Sequence, residues 1–95
     1  MSFANKVALV TGAGSGIGKA AAVRLAAEGC AVGVLTHTAK EAEAVADEIR
    51  AAGGKALALT ADVSDADQMT RAVDDLEQEF GRVDLLFANA GINGV

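Results

Sequence analysis

Ninety-five residues make one domain at most, and 52% apolar content excludes a disordered chain. The net charge of −5, with Lys and Arg scattered along the chain, excludes a basic nucleic-acid face, and no run of roughly 18 apolar residues is present to cross a membrane. The single cysteine, Cys30, excludes a disulfide framework or a cysteine-based zinc cluster, and MSFANKVALVTG has too short an apolar run for a secretory leader, so the expected location is the cytoplasm.

KVALV (Lys6 to Val10) is a β-rich run that ends at the glycine stretch TGAGSGIG, Thr11 to Gly18. Ile17 to Glu28 reads as a helix stopped by Gly29, and AVGVL (Ala31 to Leu35) as a second strand, followed by Thr36, His37 and Thr38. Cys30 stands at the start of that strand, where a small buried residue belongs. Thr38 and Glu41 have the Thr-x-x-Glu spacing of a capping box. The helix they open carries Ala42, Val45, Ala46, Ile49 and Ala52 on one stripe, and Gly53 suits the left-handed position past its end.

KALALT (Lys55 to Thr60) is a third strand. Ser64 is the expected cap of a third helix, with a stripe of Ala66, Met69, Val73, Leu76 and Phe80 and a stop at Gly81. VDLLFAN (Val83 to Asn89) is the fourth strand. Short apolar strands joined by crossover helices pair in parallel with right-handed connections. The prediction is therefore α/β: a doubly wound parallel sheet covered on both faces, with about four strands and three helices. Alanine dominates the apolar set, with three Phe and no Trp or Tyr, so the core should be thin and the stability marginal.

The glycine stretch joins the first strand to the first helix, where such a sheet binds nucleotides. A helix N-terminus there offers unpaired N–H groups and the positive end of the helix dipole. The Gly-x-Gly-x-x-Gly spacing is not met, because the third position from Gly12 and Gly14 is Ile17. Gly12, Gly16 and Gly18 fit Gly-x-x-x-Gly-x-Gly instead. A P-loop for ATP would need Ser or Thr after Gly18-Lys19 to hold magnesium, and Ala20 stands there.

TGAGSGIG, DVSD (Asp62 to Asp65) and ANAG (Ala88 to Gly91) fall on three strand ends, and with them the chain resembles the short-chain dehydrogenase/reductase family from Lys6 to Val95. The resemblance implies a Rossmann-like sheet of order 3-2-1-4, forming a dinucleotide-binding portion over residues 1–95. It implies that the backbone around Ser15, Gly16 and Ile17 cradles the phosphates of NADP or NAD. It also implies that Asp62 accepts a hydrogen bond from the adenine amino group with Val63 beside the ring, and that Asn89, Ala90 and Gly91 lie near the adenosine ribose. Where NAD enzymes carry an acid after the second strand, this chain has Thr36, which does not repel a 2′-phosphate. Thr36, His37 and Thr38, with Lys40 nearby, favour NADP over NAD. His37 is equally readable as an ordinary exposed loop residue.

Family enzymes transfer a hydride between an alcohol and a carbonyl with a Ser, a Tyr and a Lys four positions after the Tyr. This chain has no tyrosine, and its serines are Ser2, Ser15 and Ser64. The expectation is the N-terminal part of a longer homo-oligomeric oxidoreductase, truncated before its catalytic half, that binds cofactor but does not catalyse. Its fourth strand should present an open edge. The alternative is a non-enzymatic dinucleotide-binding or interaction module that recruits a partner there.

Overall fold

The alternation of strand and helix predicted from the sequence forms with element ends within two residues of expectation. The computed structural model describes residues 4–89. In chain order they form β1 (Val7–Thr11), α1 (Gly16–Ala27), β2 (Ala31–Thr36), α2 (Ala39–Ala51), β3 (Lys55–Thr60), α3 (Ala66–Phe80) and β4 (Leu85–Ala88). The strands pair in parallel in the expected order, β3-β2-β1-β4, with Val10 of β1 flanked by Val34 of β2 and Phe87 of β4. Asp84 fixes where β4 starts: its carboxylate accepts from Val7 N–H at 3.0 Å, and its own N–H donates to the Val7 carbonyl at 2.8 Å.

Side chains alternate across each strand, so the sheet feeds two cores. Ala8, Val10, Val32, Val34 and Ala56 face α1 and α2, where Ala22, Val45, Ala46 and Ile49 close over them. Val7, Leu9, Leu35 and Leu59 face α3, where Ala72 and Leu76 are the buried residues. Gly33 lies under Leu76: a Cβ there would stand 2.7 Å from Leu76 Cδ2 and 3.0 Å from Leu59 Cδ1. Burial, then the negative charges of Asp84 and Glu28, push the Cys30 thiol above its ordinary value. Cys30 is thus a protonated core side chain.

Three local expectations are corrected. Asp65, not Ser64, caps α3: its carboxylate accepts from Gln68 N–H at 3.1 Å, and Gln68 Nε2 donates back at 3.1 Å. Ser64 is taken up by Asp62 instead. Thr38 does stand at the N-cap of α2, but its side chain makes no capping bond, and Glu41 accepts from the Thr36 hydroxyl at 3.3 Å. The capping box is therefore not formed. Ala52 and Ala66, at the ends of their predicted stripes, are exposed, and the unpredicted Ala72 is buried. Among the described residues β4 is an edge strand paired with β1 alone, and Leu86 and Phe87 are 65% and 37% exposed.

Candidate functional site

The loops at the C-terminal ends of the strands surround an open cleft of about 590 Å³. It is lined by Gly12, Gly14 and Ser15 after β1, by Leu35, Thr36 and His37 at the end of β2 with Glu41 of α2, by Ala61, Asp62 and Val63 after β3, and by Asn89 after β4. Two backbone bonds tie these loops together: Ala13 N–H donates to the Leu35 carbonyl at 3.1 Å and Ala61 N–H to the Thr36 carbonyl at 3.2 Å.

The glycine loop is shaped by steric necessity. Gly12 and Gly16 have φ of 62° and 60°, the left-handed region that side chains disfavour. A Cβ on Gly12 would stand 2.9 Å from the Asn89 carbonyl, whereas one on Gly16 would project into open space. Gly18 lies buried beneath, where a Cβ would run into the Gly12 carbonyl. Ser15 caps α1 in extended backbone without a side-chain bond, and the first turn carries no acid. The leading N–H groups of α1 and the positive end of its dipole are thereby left for a ligand.

Asn89 closes the far side. Its N–H donates to the buried Thr11 hydroxyl at 3.1 Å, and its Nδ2 reaches the Gly12 carbonyl at 3.4 Å, joining the end of β4 to the glycine loop. Asp62 is held by its own turn. Oδ1 accepts from the Ser64 hydroxyl at 2.7 Å and from Ser64 N–H at 2.9 Å, and Asp62 N–H donates to Gln68 Oε1 at 2.9 Å. The other carboxylate oxygen has no partner among the described residues.

The Ser64 hydroxyl first, then the Ser64 N–H, hold the Asp62 carboxyl below its ordinary value of 3.8, with a smaller contribution from His37. A depressed folded-state value means that this turn is stabilised above the ordinary aspartate pKa and loses the contribution as pH falls through the lowered one. An NMR titration of the Asp62 carboxyl should therefore give a midpoint below that of an unstructured aspartate. Ser64→Ala should move it upward; a wild-type midpoint at or above the ordinary value would contradict the geometry.

Of the sequence-predicted residues, Gly12, Ser15, Thr36, His37, Asp62, Val63 and Asn89 line this one cleft. Gly16, Ile17 and Gly18 do not line it: Gly16 starts the helix, Ile17 is exposed and Gly18 is buried behind the loop. Ala90 and Gly91 lie outside the described residues. Sequence reasoning missed Gly14 and Glu41. Lys19, the lysine a P-loop would use, pairs with Glu48 of α2 at 3.2 Å. Among the described residues no cluster of His, Cys, Asp or Glu is suited to a metal, and no helix is long and apolar enough to cross a membrane.

The family model for short chain dehydrogenase matches residues 6–95. The chain belongs to that family. As a stretch of a short-chain dehydrogenase it is 52% identical over 87 residues to the short-chain reductase protein NovJ of Streptomyces niveus, covering 92% of this chain and 33% of that protein. It is 49% identical over 92 residues to a cyclohexanol dehydrogenase of an Acinetobacter species, covering 97% of this chain and 37% of the relative. Its structure is similar to that of a hydroxysteroid dehydrogenase from Escherichia coli, with a TM-score of 0.94 and 38% identity over 98% of this chain and 40% of the other. A 3-ketoacyl-ACP reductase from Sinorhizobium meliloti aligns at 62% identity and a TM-score of 0.88, covering 92% of this chain and 34% of the other. The chain thus spans about a third of the length of the curated relatives it matches.

Proposed function

We propose that this chain is the nicotinamide-dinucleotide-binding part of an oxidoreductase that interconverts an alcohol and a carbonyl. The observation that carries the reading is the meeting of the glycine loop, Asp62 and Asn89 around one cleft at the C-terminal strand ends. The residues fit such a ligand. The uncapped start of α1 and the open space beside Gly16 suit a pyrophosphate approaching the backbone. The Asp62 oxygen that has no partner among the described residues suits an adenine amino group, the exposed Val63 suits the face of its ring, and Asn89, which braces the loop, suits the ribose. A bound nicotinamide supplies or takes up the hydride.

Proton transfer to or from the substrate oxygen needs an acid-base group, and this chain has no tyrosine to act as the family's does. The exposed apolar edge of β4 and the greater length of the relatives support a longer parent whose sheet continues past β4 and carries those groups. Calorimetric titration of the 95-residue chain, folded by circular dichroism, should show weak saturable binding of NAD(H) or NADP(H). No heat with either would overturn the proposed cradle. A measurable rate of carbonyl reduction by the same chain would overturn the assignment of chemistry to other segments.

A further inference from the structure

Glu41 stands on α2, outside the glycine and acidic motifs in sequence, yet it lines the cleft. One carboxylate oxygen, Oε1, accepts from the Thr36 hydroxyl at 3.3 Å, and Thr36 is the last residue of β2. In a doubly wound sheet, the adenosine ribose hydroxyls meet the end of the second strand. Glu41 therefore brings a carboxylate to the place where Thr36 itself has none.

The approach is made possible by Gly14: a Cβ on that residue would run into Glu41 Oε1 and stand 3.1 Å from its Cδ. No ion pair holds Glu41 among the described residues, and its second oxygen has no partner there. Besides His37, the titratable groups in the lining are both acidic. Glu41 and Asp62 line the cleft, and no Lys or Arg does. Lys19 is paired with Glu48, and Lys40, next to Glu41 in sequence, is not part of the lining.

We infer that Glu41 sets the cofactor choice of this site, selecting a dinucleotide with a free ribose 2′-hydroxyl over one with a 2′-phosphate. This deepens the proposed cradle and rests on it. A hydroxyl at that position donates to the free carboxylate oxygen in a charge-assisted bond. A phosphate dianion there is set against the Glu41 carboxylate, with no Lys or Arg among the described lining residues to offset it. The positive end of α2 does not offset this, because Glu41 already complements it from the first turn. NAD is therefore the cofactor, in place of the NADP that Thr36, His37 and Thr38 favour when read from the sequence alone.

The test is calorimetric titration of the 95-residue chain and its Glu41→Gln variant with NAD+ and NADP+. Gln keeps the size and the acceptor for Thr36 but removes the charge. The wild type should bind NAD+ at least about tenfold tighter than NADP+, and the variant should lose most of that preference. The readout is the ratio of the two affinities, which partial unfolding of the variant cannot change because it weakens both ligands equally. Equal or tighter binding of NADP+ by the wild type, or an unchanged ratio in the variant, would overturn the role of Glu41 and leave the cradle standing. Binding of neither dinucleotide to folded wild type would overturn both.

Discussion

Gly18→Ala should destabilise the chain by about 2 kcal/mol or more and abolish dinucleotide binding, although it places a better helix former in α1. The helical gain is about 1 kcal/mol for replacing glycine with alanine inside a helix. Against it stands a Cβ that would occupy the space of the Gly12 carbonyl group, 2.7 Å from its carbon, and stand 3.0 Å from Asn89 Nδ2. Overpacking against side chains costs about 1–3 kcal/mol because rotamers can move aside. Here the obstacle is the backbone of the glycine loop, whose left-handed Gly12 is itself pinned between Asn89 and α1. Relief requires α1 to back away from β1, which opens the core around Ala13 and Ala22.

The comparison is Gly16→Ala, where a Cβ meets nothing within 4 Å and only the left-handed backbone is penalised, by roughly 1–2 kcal/mol. Urea denaturation of both variants measures the difference. Gly18→Ala with a midpoint equal to the wild type would show that the loop and helix are not in the close contact described.

This ordering of the glycines was only half legible in the sequence. The Gly12, Gly16, Gly18 spacing identified the loop, because a strand running into glycines and then a helix has few other physical uses. It could not distinguish the roles: Gly16 faces open space at the start of α1, Gly18 packs behind the loop, and Gly14 yields space to a residue 27 positions later. Contacts at that separation leave no periodic trace. Glu41 was hidden for a related reason. Its spacing from Thr38 gave it a sufficient local explanation as a capping-box acid, and only the fold shows that Thr36 competes for the same carboxylate.

The cap of α3 failed similarly. DVSD contains three residues able to cap, and Ser64 is withdrawn from the contest by two hydrogen bonds to Asp62. Parallel pairing and the two-faced core, by contrast, followed from alternation, because parallel strands joined by crossover helices leave few ways to bury both faces, whereas the strand order was implied by the family resemblance alone. The apolar stripes of α2 and α3 fixed which side of each helix faces the sheet. They did not fix how far the covered surface extends, so Ala52 and Ala66 are exposed at the helix ends.

Leu76→Ala should cost about 2–5 kcal/mol, since it removes the only large side chain of α3 that is fully buried. In a small alanine-rich domain, with net stability near about 0.05 kcal/mol per residue, that is enough to leave a substantial unfolded fraction. The effect also reaches the cleft. Gln68 in the first turn of α3 accepts from Asp62 N–H, so loosening the helix releases the turn that aims the Asp62 carboxylate.

Gly33 makes the argument testable as a pair. Alone, Gly33→Ala crowds the ends of Leu76 and Leu59, which can rotate, so it should cost only about 1–2 kcal/mol. In the Leu76→Ala background the same methyl enters the space that Leu76 vacated. The double variant should then be more stable than the sum of the single losses predicts, by about 1 kcal/mol or more. Urea midpoints of the four proteins close the cycle. Strict additivity would mean that α3 does not press Leu76 onto Gly33, and with it would go the path by which packing on that face holds Asp62 in position.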